Sequence, residues 1–453
     1  MTLESYLSDK QAIHLDELLE FLRIASVSTN PAHKDDVRRA GEFVKEKLES
    51  LNFSTQLFDT AGHPIIYAER HVSQDVPTLL IYGHYDVQPP EPLELWDSPP
   101  FEPTLKNGLI VARGASDDKG QVYAHIKGAE AALAQSADLP LNLKFLIEGE
   151  EEIGSPNLTP FIASHKDLLA ADTVLISDNS MIAPGVPTVT YGLKGLVYIE
   201  VTVRGPSLDL HSGAYGGGVV NPINALARMI ARLHDEDGRV AVPGFYDDVV
   251  DLSQQEREAF GAAPFDEAHY KNEIGTDATV GEPGYSLLER LWARPTLDVN
   301  GISGGFQGEG AKTVIASKAS AKISCRLVAK QDPQDIHDKL IAYLRESVPE
   351  GLELSFQSFG KAKAALAPID SAAVQTAAQA LSEVYGRDTV FARTGGTIPV
   401  VSTFQELLGA DVVLVGLGLE SDKVHSPNEK FDLENYYKGI EVSARLLEAF
   451  AKG

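Results

Sequence analysis

Hydrophobic and polar positions follow two periods along this chain, one typical of helices and the other of buried strands. Apolar residues recur at helical spacing in the stretches IHLDELLEFLRI and DDVRRAGEFVKEKLESL near the start of the chain. Short apolar runs such as PTLLIYGH, LNLKFLIEG and DTVLISD have the length of buried strands. Strands that alternate with helices predict an α/β domain built on a largely parallel sheet.

The pattern changes near Gly195, where LVYIEVTVRG alternates between apolar and polar positions. The helical stretches and strands that follow predict a smaller α+β domain over residues 196–362. The polar, acidic tract 238–300 shows no clear periodicity, and we interpret it as a large irregular excursion of that domain. Because the α/β pattern then resumes, we expect one larger domain of residues 1–195 and 363–453 with the smaller domain inserted in it.

Composition narrows the classes of partner and environment. The 453 residues have a formal net charge of -26, which argues against nucleic acid or an anionic membrane as a partner, since both require a basic face. The one cysteine, Cys325, excludes an internal disulfide and a Cys-x-x-Cys motif. The start MTLESYLSDK does not resemble a signal peptide, and no apolar run approaches the ~20 residues of a membrane helix. We therefore expect a cytoplasmic protein.

The stretch IYGHYDVQPP indicates that a buried strand ends by presenting His84 and Asp86. The two prolines after it prevent any further regular strand. Such a pair is also found as a hydrogen-bonded pair in protein cores, so the stretch alone does not establish a metal site. If His84 binds a metal, Asp86 would hold the other ring nitrogen and thereby fix the tautomer.

Further acidic and imidazole groups occur where other predicted elements end. RGASDDKGQ places Asp117 in a turn before a helix, where an aspartate also serves as a helix cap. Three consecutive glutamates, residues 150–152, follow the strand LNLKFLIEG, and they repel one another unless cations neutralise them. Asp178 follows DTVLISD, and His425 lies just before the predicted C-terminal helix. Each residue alone has an ordinary structural explanation.

Taken together, these residues predict a metal centre, because all of them are expected at the carboxyl ends of strands in one α/β domain. Two imidazoles and three carboxylates suit a pair of divalent metals with one carboxylate as a bridge. The candidate ligands are His84, Asp117, Glu152, Asp178 and His425.

The ordered motifs of the chain resemble a known family. They are GHYDVQP, RGASDDKG, EGEEEIGS, ISDNS, GPSLDLHSG, KTVIASKASAKISCRLV, RTGGTIP and HSPNE. In this order they resemble the M20 co-catalytic zinc peptidases, and most closely the carnosinase-like dipeptidase branch. The resemblance spans nearly the whole chain. It implies a zinc-peptidase-type catalytic domain with a mostly parallel central sheet, and an inserted domain that acts as a lid and in dimerisation.

The resemblance also implies two divalent metal ions per chain, zinc first, with manganese or cobalt as alternatives. The implied ligands are His84 and Asp178 for one ion, Glu152 and His425 for the other, and Asp117 as the bridge. Glu151 would be the general base and acid, because Gly154 and Ser155 align it, and not Glu150, with the family motif. The peptide bond between Asp117 and Asp118 would be cis.

The implied substrate contacts lie in or beside the inserted domain. His211 would reach the active site of the partner subunit of a homodimer and polarise the scissile carbonyl, and Thr313 would join it from that partner. Arg326, together with Gly396 and Thr397, would hold the terminal carboxylate of the substrate. Without the resemblance, Arg326 would be interpreted as half of a surface ion pair.

These observations predict a homodimeric metallopeptidase that hydrolyses dipeptides or short peptides. An N-acyl-amino-acid deacylase of the same family is the alternative, because it would use the same metals and the same bond chemistry. A non-catalytic metal-binding scaffold is the third hypothesis. The presence of Glu151 and of all five ligands argues against it.

Overall fold

The computed structural model describes residues 2–452, which form two compact units. The larger unit contains the chain up to Tyr191, the segment Ala367–Ala392 and the chain from Val400 onward. The smaller unit contains Gly192–Leu366 and Arg393–Pro399. The smaller unit corresponds to the inserted domain expected over residues 196–362, with slightly wider bounds. The sequence pattern did not indicate that Arg393–Pro399 belongs to the smaller unit.

Helices and strands alternate through both units. The helices are α1 (Leu3–Leu22), α2 (Lys34–Ser50), α3 (Lys119–Gln135), α4 (Leu158–Ser164), α5 (Lys166–Leu169), α6 (Ser212–Tyr215), α7 (Pro222–Ala231), α8 (Gln254–Ala262), α9 (Glu267–Ile274), α10 (Leu287–Ala293), α11 (Pro333–Ser347), α12 (Ala372–Tyr385), α13 (Pro399–Leu408) and α14 (Leu433–Phe450). The strands are β1 (Ser54–Phe58), β2 (Ile65–Arg70), β3 (Thr78–His84), β4 (Thr104–Lys106), β5 (Leu109–Val111), β6 (Asn142–Glu148), β7 (Thr173–Ile176), β8 (Ser180–Met181), β9 (Thr188–Leu193), β10 (Gly195–Arg204), β11 (Leu210–His211), β12 (Thr296–Gly304), β13 (Val314–Ile315), β14 (Lys318–Leu327), β15 (Glu353–Ala362), β16 (Ala365–Leu366), β17 (Val390–Thr394), β18 (Asp411–Val415), β19 (Gly418–Leu419) and β20 (Lys430–Asp432). Among residues 2–452, no helix is long and apolar enough to cross a membrane.

The larger unit is built on a sheet with the strand order β1-β2-β6-β3-β7-β18-β9. Strands β6, β3, β7 and β18 are parallel to their neighbours in the centre, and antiparallel strands flank them. Every residue of β6 and β7 is buried, which explains their nearly continuous apolar sequences. The predicted α/β fold with a mostly parallel central sheet is confirmed, and the carboxyl ends of its central strands lie at one edge.

The smaller unit contains an antiparallel sheet with the order β12-β14-β10-β15. Along β10, buried and more exposed positions alternate, as its sequence pattern predicts. Helices α7 and α11 contact this sheet and complete a core that includes Val197, Val201 and Leu340. The unit therefore has the expected α+β architecture.

The acidic tract 238–300 is more regular than its sequence predicts, because it contains α8, α9 and α10. Ser253 and Ser286 begin α8 and α10 with capping boxes. A buried ion pair joins Arg294 to Glu282, with Nε 2.6 Å from Oε2. The tract belongs to the smaller unit, as that interpretation has it, but the expected irregularity was wrong. Helix caps and ion pairs stabilise the tract, and a hydrophobic period does not reveal them.

Candidate metal centre and active site

Two predicted ligands and the triple glutamate follow neighbouring parallel strands. His84 is the last residue of β3, and it pairs with Glu148, the last residue of β6. On its other side β3 pairs with β7, and Asp178 follows the end of β7 by two residues. Because the carboxyl ends of parallel strands meet at one edge, these strands present His84, Asp178 and the glutamates after Glu148 at the same place.

Asp117 and His425 reach this place from loops. Asp117 immediately precedes the N-terminal end of α3, and the nearest strand before it, β5, belongs to a separate sheet with β4 and β20. His425 has a positive φ of 62° in a turn, and β20 intervenes before α14. All five candidate ligands lie in the larger unit, but the expectation that each lies at the carboxyl end of a strand was wrong for these two. Asp117 comes six residues after β5, and His425 comes six residues after β19, which pairs with β8.

Asp117 lies between two histidines, and each of its carboxylate oxygens faces one of them. Oδ1 is 3.1 Å from Nε2 of His84, and Oδ2 is 3.0 Å from Nε2 of His425. Asp178 Oδ1 is 4.0 Å from the same atom of His84, and Glu152 Oε2 is 3.3 Å from the same atom of His425. Two groups result, each with one imidazole and two carboxylates, and Asp117 is common to both.

The contacts among these side chains leave their charges and donor atoms poorly satisfied, and divalent cations would satisfy them. His84 Nε2 is buried and makes no hydrogen bond within residues 2–452, although Asp117 Oδ1 is only 3.1 Å away. Burial and the charge of Asp117 raise the pKa of Asp178 well above its ordinary value. Hydrogen bonds to Asp117 and Glu152 raise the pKa of His425 to about 10. The cluster thus carries an excess of negative charge, and its nitrogen and oxygen donors suit zinc, manganese or cobalt.

Gly83 allows β3 to end against the loop that carries Asp117. A Cβ atom at Gly83 would lie 2.4 Å from Val122 Cγ2 and 2.7 Å from Asp118 Oδ2, so only glycine fits. The N–H of His84 donates to the same Asp118 oxygen at 3.3 Å. The peptide bond between Asp117 and Asp118 is cis, which confirms the prediction.

Asp86 supports the site differently from the expected way. His84 Nδ1 lies 3.1 Å from the main-chain oxygen of Asp86 and 3.4 Å from its carboxylate Oδ1. The carboxylate instead accepts the backbone N–H groups of Glu151 and Glu152, at 3.2 and 3.1 Å. These N–H groups begin the short 3₁₀ helix Glu151–Ile153 and have no partner within it. Asp86 therefore orients both the imidazole and the glutamates.

The neighbouring glutamates Glu150 and Glu151 have different surroundings. Glu150 is buried, and its two oxygens accept the N–H of His63 at 3.1 Å and the Nδ2 group of Asn157 at 2.8 Å. It is therefore used to hold loops together. Burial raises the pKa of Glu151 to about 7, even though the nearby charge of His84 lowers it. Of the two, Glu151 is the side chain left for chemistry, in agreement with the register of the motif.

Glu429 was not among the predicted site residues, although it positions the loop of Asp117. This fully buried carboxylate accepts backbone N–H groups from Gly114, Ser116 and Asp117 at 3.0 to 3.1 Å. It also accepts a hydrogen bond from Nη1 of the buried Arg113 at 2.8 Å. The signal was available in HSPNE, where this glutamate follows the ligand histidine by four residues. The loop that carries the candidate ligand His425 therefore also holds, through Glu429, the loop that carries Asp117.

In the smaller unit, His211 lies on β11, and Thr313 immediately precedes β13, the strand that pairs with it. His211 ends β11, and the N–H of Ser212 donates to Thr313 O at 3.1 Å. The Nδ1 atom of the exposed His211 ring accepts the N–H of Gly213 at 3.0 Å. In a neutral ring the proton is then on Nε2, which faces outward as a hydrogen-bond donor. A Cβ atom at Gly213 would lie 2.9 Å from His211 Cε1, so any other residue there would displace the ring.

The other predicted substrate contacts also meet in the smaller unit. Nη1 of the half-buried Arg326 donates to Thr397 Oγ1 at 2.8 Å. Thr397 Oγ1 in turn donates to the main-chain oxygen of Lys194 at 2.6 Å, and Lys194 N donates to Gly396 O at 3.0 Å. Arg326, Gly396 and Thr397 are thus neighbours, although 70 residues of sequence separate the first two.

The fold and the donor set are those of a metal-dependent hydrolase. Comparison with known proteins narrows this class, because the sequence pattern of "Peptidase family M20/M25/M40" matches residues 80–449. The chain is 35% identical over 455 residues to the Beta-Ala-His dipeptidase of Homo sapiens, covering 95% of this chain and 90% of that protein. It is 33% identical over 435 residues to the Cys-Gly metallodipeptidase dug1 of Schizosaccharomyces pombe, with 92% and 91% covered.

A solved structure shows the same relationship. The M20 family metallo-carboxypeptidase Sso-CP2 from Sulfolobus solfataricus superposes with a TM-score of 0.88 at 34% identity, covering 97% of this chain and 99% of that one. The chain therefore belongs to peptidase family M20/M25/M40, and it is a metallopeptidase. The resemblance deduced from the sequence motifs is confirmed.

Proposed function

We propose that this metallopeptidase hydrolyses the peptide bond of dipeptides and short peptides that end in a free carboxylate. The names of its relatives support this proposal, since they act on Beta-Ala-His or Cys-Gly dipeptides or are described as a carboxypeptidase. The observation that carries it is the position of Asp117, whose two oxygens face two different histidines.

In this proposal the chain holds two divalent ions, zinc first, with manganese or cobalt as alternatives. His84 and Asp178 hold one ion, Glu152 and His425 hold the other, and Asp117 bridges them. When bound, two such ions lower the pKa of water and polarise a carbonyl group. Asp86 and Glu429 keep the ligands in position through the contacts described above.

Glu151 is the proposed general base and acid. It takes the proton of the attacking water and later delivers it to the leaving amine. Its place at the start of the 3₁₀ helix supports this role, because Asp86 accepts its backbone N–H and thereby fixes the glutamate beside the ligand Glu152. The neighbouring Glu150 is committed to His63 and Asn157.

The smaller unit supplies the proposed substrate contacts. His211 donates a hydrogen bond from Nε2 to the scissile carbonyl as negative charge develops on its oxygen, and Thr313 assists it. Both act on the active site of the partner subunit in a homodimer formed through the smaller unit. Arg326 and the turn with Gly396 and Thr397 hold the terminal carboxylate.

The native setting in this proposal is the cytoplasm. The buried, unpaired Cys325 and the net charge of -26 support a reducing compartment and a small peptide substrate, with neither nucleic acid nor membrane as a partner. Cell fractionation with antibodies against the native protein tests this location, and recovery in a membrane or exported fraction would contradict it.

A substrate panel tests the function. The metal-loaded protein is assayed against a set of dipeptides and against the matching N-acetyl amino acids. We expect hydrolysis of the dipeptides with clearly higher kcat/KM. Preference for the acetylated set would support the N-acyl-amino-acid deacylase instead, and no hydrolysis of either set by metal-loaded protein would support the non-catalytic scaffold.

A further inference from the structure

Two cationic residues of the smaller unit, Lys194 and Arg326, lie close enough for the charge of one to affect the other, and neither is paired with a carboxylate among the described residues. Lys194 is buried, and Arg326 is half-buried. Within residues 2–452 neither forms an ion pair, and the exposed Asp298 is the carboxylate whose charge reaches both. Removing a charge from water without a counter-charge is costly, so this arrangement indicates an anionic ligand.

Thr397 joins the Arg326 side chain to the backbone of Lys194. Its hydroxyl oxygen accepts Nη1 of Arg326 at 2.8 Å and donates to the main-chain oxygen of Lys194 at 2.6 Å. The N–H of Lys194 also donates to Gly396 O at 3.0 Å. Because the hydroxyl uses its one proton on Lys194, it is oriented as an acceptor toward Arg326. The turn of residues 396–397 thus lies against both cationic residues.

The tract 238–300 determines where the Lys194 side chain lies. Lys194 Nζ donates to Arg290 O at 3.2 Å, and this carbonyl is in the last turn of α10. The next carbonyl of that turn, Leu291 O, would be 3.6 Å from a Cβ atom at Gly395. The end of α10 therefore contacts both Lys194 and the glycine turn.

A second contact of the tract holds the strand that leads into this turn. Arg393 forms an ion pair with Glu256 of α8 and lies over the ring of Phe260, with its Cζ 5.9 Å from the ring centroid. Helices α8 and α10 thus both contribute contacts near this turn within the smaller unit.

Capping of α10 is the simpler explanation for Lys194, but it accounts for only one of the three protons on its ammonium group. A neutral amide could make the same hydrogen bond without the cost of burying a charge. Burial and the charge of Arg326 lower the pKa of Lys194 to about 8. The charge is therefore poorly compensated in the free protein, and a carboxylate would compensate it.

We propose that Lys194 is a second cationic residue of the subsite for the C-terminal carboxylate of the substrate, beside Arg326. The helices of the tract 238–300 set its position. This inference rests on the proposed function, and it narrows the class of substrate to peptides with a free C-terminal carboxylate. A peptide with an amidated C-terminus lacks the charge that this subsite would bind. Lys194 acts on substrate binding and takes no part in bond cleavage.

The test compares a dipeptide that the wild-type protein cleaves with the C-terminal amide of the same dipeptide. The variant Lys194→Gln keeps a donor for Arg290 O but removes the charge, and Lys194→Arg keeps the charge. We expect Lys194→Gln to raise KM for the free acid about tenfold, a typical effect of losing one charged contact, with kcat nearly unchanged. KM for the amide, or its inhibition constant if turnover is too slow, should stay the same.

The controls separate a binding role from a structural one. Lys194→Arg should recover most of the preference for the acid, and Lys361→Gln, at an exposed lysine of β15, should change nothing. An equal rise in KM for acid and amide, or no rise for the acid, overturns the inference and leaves helix capping. A wild-type protein that cleaves no dipeptide would contradict the proposed function itself, which is a different result.

Discussion

His84 in the larger unit and His211 in the smaller unit are held in opposite ways. His84 is fully buried, with its backbone N–H bonded to Asp118 and its ring between Asp86 and Asp117. His211 is exposed, and within residues 2–452 its ring makes one hydrogen bond, from the N–H of Gly213 two residues on. The first imidazole is positioned by packing before any ligand arrives, whereas the second is positioned by its local backbone alone.

This difference teaches which part of the chemistry is built into the fold. The proposed metal ligands lie at strand ends and on loops that Glu429 and Asp86 hold in place, so their geometry should tolerate little change. The proposed substrate contacts of the smaller unit are exposed or half-buried except for Lys194, and within residues 2–452 its two cations, Lys194 and Arg326, form no ion pair with a carboxylate. We expect substitutions at the site in the larger unit to abolish turnover, and substitutions in the smaller unit to reduce activity by graded amounts.

Metal removal should have the largest effect. Chelation is expected to abolish hydrolysis, because the closely spaced carboxylates of Asp117, Asp178 and Glu152 then lose the cations that neutralise them. Reconstitution with zinc, manganese or cobalt should restore activity at about two ions per chain, measured by elemental analysis. Full activity with one ion per chain would remove the bridging role of Asp117.

Replacement of the proposed base comes next. Glu151→Gln should lower kcat by ~10²–10⁴-fold while the protein keeps its metals, because an amide cannot carry the proton. Glu150→Gln is the matched control, and it should lower stability more than turnover, since its oxygens serve His63 and Asn157. If Glu150→Gln gave the larger loss in kcat, the assigned register would be wrong by one residue.

The proposed action of His211 in the partner subunit can be tested by mixing inactive subunits. His211→Ala should cost ~10²–10³-fold in kcat, a typical loss for an oxyanion donor. Hybrids with Glu151→Gln subunits should recover up to about half of the wild-type activity per chain, since one of the two sites is then intact. Inactive hybrids, with subunit exchange verified and both variants folded and metal-loaded, would show that His211 does not act on the partner.

A smaller change at the same histidine sharpens the comparison. Gly213→Ala should lower kcat roughly tenfold, because its Cβ would lie 2.9 Å from His211 Cε1 and move the ring. Gly360→Ala is the control, since a Cβ atom there meets no atom within 4 Å. Equal kinetics for Gly213→Ala and wild type would mean that the orientation of this ring does not limit the reaction.

The smallest effect is expected at Thr397. Thr397→Val removes the hydroxyl that joins Arg326 to Lys194, so KM should rise roughly threefold to tenfold with kcat retained. Thr397→Ser keeps the hydroxyl and should behave like the wild type. A lower kcat with unchanged KM would place Thr397 in the chemical step and not in carboxylate binding.

Much of this protein is readable from local patterns. The end of strand β3 at His84 is predictable, because Gly83 and the prolines after Asp86 interrupt the apolar run. The alternation in β10 likewise predicts its buried face. The α/β and α+β classes and the family follow from such patterns and from the order of the motifs. The tract 238–300 was misread because capping boxes and ion pairs stabilise it, and these lack a hydrophobic period.

By itself the sequence determined the elements, their order and the residue types available for chemistry, because these depend on contacts between near neighbours. Only the tertiary structure decided which atoms meet. It directs the Asp86 carboxylate to the backbone of Glu151, brings Glu429 to the loop of Asp117, and places Lys194 against the turn at Thr397. These contacts join segments that lie far apart along the chain, and no local period or spacing records which distant donor a buried carboxylate or ammonium group will find.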